Sequence, residues 1–134
     1  MRTWREVWRE GLAPQIPTAG LTALRDALAS DDPRLIQLSP TEPMALPRLE
    51  DWPCVAADAV GFAFWQALNL KSCGAVNAAW EEAMYQCSLL LGTAAACAPF
   101  LDFYDSTPRP ALLVELRAEV ELALASRHPA GAVA

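Results

Sequence analysis

Basic residues are scarce in this 134-residue chain, and lysine and histidine are almost missing. Ten arginine and lysine residues stand against sixteen aspartates and glutamates, which gives a formal net charge of −6. Lys71 is the single lysine and His128 the single histidine. No basic stripe could neutralise a run of phosphates, which argues against nucleic-acid binding. The acidic residues are scattered rather than arrayed, which argues against mimicry of a nucleic acid.

The motifs of common catalytic and metal sites are missing as well. The sequence has no Gly-rich phosphate loop, no G-x-S-x-G and no H-E-x-x-H. Its four cysteines form no C-x-x-C pair, and they lie at Cys54, Cys73, Cys87 and Cys97. We expect them to be reduced, buried and apolar in character, with a redox pair or a zinc site as the alternative. The prediction is a protein without cofactor or metal, and not an enzyme.

The N-terminus lacks the unbroken apolar segment of a secretory signal peptide. Charges recur there, at Arg5, Glu6, Arg9 and Glu10. The protein is therefore expected to stay where it is made, in the cytoplasm. The most apolar stretch, residues 54–70, is shorter than the roughly 20 residues of a transmembrane helix, and it contains Asp58. No membrane span is predicted.

Apolar residues are in excess, at 54% of the chain against roughly 45–50% in a typical globular protein. Alanine dominates this set while valine and isoleucine are sparse, which favours helix over sheet. We predict one all-α domain over residues 1–134, with five or six helices around a central apolar helix at about 54–70. A Pro-rich loop is expected at 38–53. The excess of apolar residues further predicts self-association or a protein partner.

Capping signals give expected bounds for the first elements. Thr3 and Glu6 fit a capping box for a short amphipathic helix near 3–12, with Gly11 and a Pro-containing connection to residue 17 ending it. A second helix is expected over 18–30. The pair Asp32 and Pro33 predicts a single helical turn through Gln37.

Similar signals mark the later elements. Asp51 is the expected cap of the central helix, and Ser72 the cap of a helix at about 75–91 that ends at Gly92. Within 93–105, Pro99 predicts either a kink or a helix that begins afresh near Ala98. Thr107 is the expected cap of the last helix, with Pro108 at its first position, and residues 128–134 are expected to fray. Two tryptophans, Trp65 and Trp80, are the expected core anchors.

Partner binding is the predicted function: a non-catalytic structural or interaction subunit, homo- or hetero-oligomeric, that docks through apolar helix faces. Large apolar side chains in a short helix and in the Pro-rich loop are the candidate contacts, because such residues carry much of the energy of interfaces. They are Trp4, Trp8, Leu12, Met44, Leu46 and Trp52. Core packing is the alternative role for Trp4 and Trp8, since a short helix needs an anchor.

The alternative function is a small enzyme or small-ligand binder with an acidic pocket near Asp58, Tyr104, Asp105 and Arg109. A lone carboxylate on an apolar helix has a raised pKa, as many general acids and bases do. Asp58 could equally cap the helix, bind a loop backbone or pair with an arginine. Asp102 and Asp105 could share a cation, although hard metals take more oxygen ligands than two.

Overall fold

Six α-helices make up most of residues 1–127, the part of the chain that the computed structural model describes. The predicted all-α class is thereby confirmed. The helices are α1 (Trp4–Val7), α2 (Thr18–Ser30), α3 (Ala59–Leu68), α4 (Cys73–Leu91), α5 (Ala98–Ser106) and α6 (Arg109–Arg127). Two antiparallel strands of two residues each, β1 (Thr41–Glu42) and β2 (Ala56–Ala57), complete the fold. The tail predicted to fray, 128–134, lies outside the described residues, as does His128.

The N-terminal segment begins as predicted. Thr3 Oγ1 accepts a hydrogen bond from the amide of Glu6, and the Glu6 carboxylate accepts one from the amide of Thr3. The helix then widens into a π turn, Trp8–Leu12, and closes with a 3₁₀ turn, Ala13–Gln15. Gly11, predicted to stop the helix, lies inside the π turn. A Cβ there would stand 2.5 Å from Cys87 Sγ, so the glycine permits the close approach of this segment to α4.

The core lies where α2 packs against α3 and α6, and where α4 packs against α3 and the π turn. The predicted stripe of α2 is buried, as is the inner stripe of α6. Trp8 is the largest of the fully buried side chains. Trp65 and Trp80, the expected anchors, pack against this core but remain partly exposed.

The central helix is shorter than predicted, because its first residues are extended. Asp58, not Asp51, caps it, and residues 56–57 pair with β1. The predicted turn after Asp32 is also wrong beyond its first residues, since Leu35 forms a parallel bridge with Ala57. Local capping signals gave the wrong bounds in both places. The backbone groups that a helix would have used are instead paired with residues distant in the sequence.

The other expected bounds agree with the structure. Helix α2 covers the predicted residues, Ser72 caps α4, Gly92 ends it in the left-handed region at φ +71°, and α5 begins afresh at Ala98. Helix α6 begins at Arg109, one residue later than predicted. The Pro-rich loop is irregular as expected, except for β1 and a cis peptide bond between Glu42 and Pro43. None of the described helices has the length and apolar character needed to cross a bilayer.

Candidate functional site

Asp58 is a buried helix cap. Its Oδ1 accepts a hydrogen bond from the amide of Gly61 at 2.8 Å, and its Oδ2 accepts one from Trp80 Nε1 at 2.6 Å. Its own amide donates to the carbonyl of Pro40 at 3.1 Å. Burial raises the pKa of Asp58 from 3.8 to about 7, although the two N–H donors act in the opposite direction.

The other three residues of the predicted acidic pocket bind one segment, residues 31–38. Tyr104, Asp105 and Arg109 hydrogen-bond, in turn, the carbonyl of Ile36 at 2.7 Å, the amide of Leu38 at 2.8 Å and the carbonyl of Leu35 at 2.7 Å. Arg109 also pairs with Asp31 at 2.8 Å. Burial, with Asp58 nearby, raises the pKa of Tyr104 well above its ordinary value.

These four side chains therefore hold the chain between α2 and α3 in place. Each directs a polar atom at a backbone group of the 31–42 region or at the start of α3. Two clefts on the described part of the molecule, of about 870 and 1140 Å³, are lined by other residues. The geometry favours the structural interpretation of Asp58, since its two oxygens already have donors and it lines neither of these two clefts.

Metal chemistry finds no support in residues 1–127, where no three His, Cys, Asp or Glu side chains converge. Asp105 is occupied by the amide of Leu38, and its expected companion Asp102 is exposed. All four cysteines are free thiols. Burial raises the pKa of Cys54 and Cys87 to about 11, so neither is an activated nucleophile.

The candidate contacts in the N-terminal segment belong to the core. Trp8 and Leu12 are buried, and Trp8 stacks on Phe100 with ring centroids 5.5 Å apart. Trp4 lies flat on Phe103, with a centroid distance of 3.7 Å and an interplanar angle of 3°. The aromatic side chains of this segment anchor it to α5. They pack inside the fold and are therefore not free to contact a partner.

The candidate contacts in the Pro-rich loop are exposed. Met44, Leu46 and Trp52 are each more than half accessible to solvent, and Val55, close to Trp52 in sequence, is exposed as well. We refer to these four residues as the loop surface. Val55 carries no periodic or motif signal. Its neighbours Cys54 and Ala56 are buried, and its amide donates to the carbonyl of Glu42 at 2.8 Å, so Val55 faces outward by the alternation of an extended segment.

The backbone beneath the loop surface is fixed by the start of α4. The first amides of a helix have no partner inside it. Here the amides of Cys73 and Gly74 donate to the carbonyls of Trp52 and Glu50, both at 2.8 Å. A Cβ on Gly74 would stand 2.7 Å from that Glu50 oxygen, so only glycine allows this approach. The loop thus caps α4 with its main chain and turns its large side chains outward.

Charged residues interleaved with the loop surface are mainly acidic. They are Glu42, Glu50 and Asp51 against the single Arg48, and all four are exposed. These four charged residues, which we call the rim, carry a net negative charge.

Function has to be inferred from this geometry, because no protein-family model matches the chain and no curated protein or solved structure is significantly similar to it. Capping and core packing leave the exposed apolar side chains of the loop surface unexplained.

Proposed function

We propose that this protein is a non-catalytic interaction domain, which docks the loop surface into an apolar pocket with a basic rim on a different protein. The observation that carries the proposal is Trp52, which is 56% exposed on a loop whose backbone is fixed to α4. The sequence predicted docking through helix faces, but Trp8 and Leu12 of the N-terminal helix lie in the core. The proposed contacts are therefore those of the loop.

The loop has a backbone held in place by hydrogen bonds and an exposed tryptophan, Trp52, and both features favour binding. Ordering a mobile loop at an interface costs free energy, and a loop already held by hydrogen bonds avoids much of that cost. Tryptophan is enriched among the residues that carry most of the energy of interfaces. Met44 adds an unbranched, adaptable side chain of the kind used at binding surfaces.

The charge of the rim favours a different protein over a second copy. Two copies that met through this surface would bring Glu42, Glu50 and Asp51 against the same residues, and like charges across an interface are unfavourable. A partner that presents lysines or arginines around an apolar pocket avoids this repulsion. Such a rim would also make association faster at low ionic strength.

The test compares Trp52→Ser with Leu89→Ser. Leu89 is 58% exposed on the outer face of α4 and matches Trp52 in accessibility while lying outside the loop. Wild-type chain and both variants serve as baits in an extract of the source cells, and the protein that Trp52→Ser fails to capture is purified for affinity measurement. We expect Trp52→Ser to weaken its binding by about 2 kcal/mol or more, near thirtyfold, with Leu89→Ser unchanged and affinity falling as salt rises.

Two results would overturn the proposal. If Trp52→Ser captures the same proteins as wild type with the same affinity, the loop surface is not the docking site. If sedimentation equilibrium shows a dimer that Trp52→Ser dissociates, the partner is a second copy and the charge argument fails.

A further inference from the structure

A second surface, distant in sequence from the loop, is a cleft of about 870 Å³ between the N-terminal turns and the end of α6. Its walls come from the π turn, the 3₁₀ turn, the start of α2 and the last turns of α6. Its volume lies within the range of small-molecule sites. The apolar part of the lining includes Pro14, Pro17 and Leu122.

An ion pair between the buried carboxylate of Glu119 and the exposed Arg9 forms one side of this cleft. Glu119 is 3% exposed, and its two oxygens accept hydrogen bonds from Arg9 Nε and Nη2 at 2.7 and 2.8 Å. Arg5 Nε lies 3.6 Å from the same carboxylate. The pairing with Glu119 raises the pKa of Arg9. The negative charge of Glu119 is therefore fully engaged by arginines.

Arg127, on the opposite side, has only neutral partners among residues 1–127. Its guanidinium donates to the carbonyls of Ile16 at 2.6 Å and Ala13 at 2.8 Å, and to Thr18 Oγ1 at 3.2 Å. No described carboxylate forms an ion pair with it. The lining thus contains two guanidinium groups and one carboxylate, a locally cationic site on a chain of net charge −6.

Trp8 adds an unused donor. The residue lines the cleft and is fully buried, yet its Nε1–H has no acceptor among the described residues. A buried donor without a partner costs about 1–3 kcal/mol and calls for an explanation. The residue also begins the π turn, and such turns occur often at functional sites.

We propose that this cleft binds a small organic carboxylate with an apolar body. The guanidinium of Arg127 offers donors only, so it favours an acceptor at the ligand's polar end. A monoanion suits the single excess positive charge of the lining better than a phosphate dianion does. The prolines and Leu122 provide apolar contact for the rest of the ligand.

Octanoate and octan-1-ol provide the first arm of the test, because they share a chain and differ in the charged head. Each is titrated into the full-length, ¹⁵N-labelled protein, with the Trp8 indole resonance assigned by Trp8→Phe. We expect saturable binding of octanoate, a change in the chemical shift of the Trp8 indole proton because Trp8 lies in the wall of the cleft, and at least about tenfold weaker binding of octan-1-ol.

Arg127→Gln provides the second arm, with Arg117→Gln as its matched control. Arg117 lies on the same helix, pairs with Glu121 and does not line the cleft. We expect octanoate to bind at least about tenfold more weakly to Arg127→Gln and unchanged to Arg117→Gln, with both variants checked for folding by circular dichroism.

Equal affinities for octanoate and octan-1-ol would overturn the proposal, as would wild-type affinity in a folded Arg127→Gln. So would the absence of saturable binding of octanoate, and of benzoate as a second probe, up to about 10 mM. If Arg127→Gln does not fold, the comparison of the two probes and the Trp8 shift in wild type decide the question.

Discussion

Two tryptophan-bearing segments, 3–12 and 44–55, pack on the same helix α4 in opposite ways. The first lays side chains against the protein, so that Trp8 is fully buried, whereas the second attaches through its main chain and leaves Trp52 56% exposed. A glycine permits each approach, Gly11 in the segment itself and Gly74 in the helix. The mode of attachment, rather than apolar content, decides which side chains remain available for binding.

Replacement of each tryptophan by alanine gives the largest expected contrast. Trp8→Ala should lower the free energy of unfolding by about 3 to 5 kcal/mol because it opens a cavity in the core. Trp52→Ala should change it by no more than about 0.5 kcal/mol because the side chain packs against little. Urea denaturation of both variants measures the difference. Similar losses in the two would show that the loop, too, is held by its side chains.

The pH dependence of stability tests the hydrogen bonds of the buried Asp58, which connect the loop region, the start of α3 and Trp80 of α4. The pKa of Asp58 is about 7 in the folded protein against 3.8 as its ordinary value, so the folded state binds the extra proton between these values. Asp58 therefore favours the folded state most below about pH 4, and this contribution is lost as pH rises to about 7, by about 4 kcal/mol at most. Urea denaturation at several pH values across that range measures it.

Asp58→Asn is the control for this prediction, because it cannot titrate. Its stability should vary less between about pH 4 and about pH 8 than that of wild type. Asparagine has one acceptor oxygen, so it can accept from Gly61 or from Trp80 but not from both, and the variant should also be less stable than wild type at low pH. A wild-type slope in Asp58→Asn would show that another group is responsible.

Helix ends that depend on neighbouring residues could be predicted from the sequence. Helix ends that depend on backbone pairing with residues distant in the sequence could not. The capping box at Thr3, the cap at Ser72 and the left-handed Gly92 each depend on residues within four positions. Asp51 was the predicted cap of the central helix, whereas Asp58 is the cap in the structure. The choice between them depends on the pairing of residues 56–57 with β1, and no local pattern shows such a pairing.

The candidate contacts illustrate the same limit. Trp8 and Trp52 were both predicted as possible contacts, and the burial of Trp8 depends on Phe100, ninety-two positions away. The cleft beside Arg127 escaped prediction because its residues come from both ends of the described chain, and Trp8 Nε1 becomes an unpaired donor only once the fold surrounds it.

Gly74→Ala should disrupt the attachment of the loop to the start of α4. Its Cβ would lie 2.7 Å from the carbonyl oxygen of Glu50, a backbone atom that can yield only if the loop moves. We expect a loss of about 1 to 3 kcal/mol and a shifted Trp52 indole resonance. Gly11→Ala is the matched variant, since its nearest obstacles, Cys87 Sγ and Leu91 Cδ1, are side-chain atoms of α4 rather than backbone of the loop. An unmoved Trp52 resonance in Gly74→Ala would contradict the proposed fastening.

The smallest expected effect is a difference in local opening, reported by Cys54 under the loop and Cys87 under the π turn. Burial raises the pKa of both thiols to about 11 in the folded protein, so each reacts mainly after it becomes exposed. Exposure removes the cause of that shift, so the two exposed thiols have similar intrinsic reactivities and the labelling rate reports how often each becomes exposed. We expect exposure of Cys87 to require movement of the π turn, whose Gly11 lies against Cys87 Sγ. Exposure of Cys54 requires only that the end of the loop lifts, and the hydrogen bond from its amide to the carbonyl of Lys71 is long, at 3.4 Å. Cys54 should therefore react at least about tenfold faster with iodoacetamide, equivalent to about 1.4 kcal/mol, as measured by mass spectrometry of the labelled peptides.

In denaturant, without reductant, all four cysteines should react, and Cys54 and Cys87 should react at equal rates. Faster labelling of Cys87 in the folded protein would reverse the comparison and make the N-terminal segment the weaker attachment.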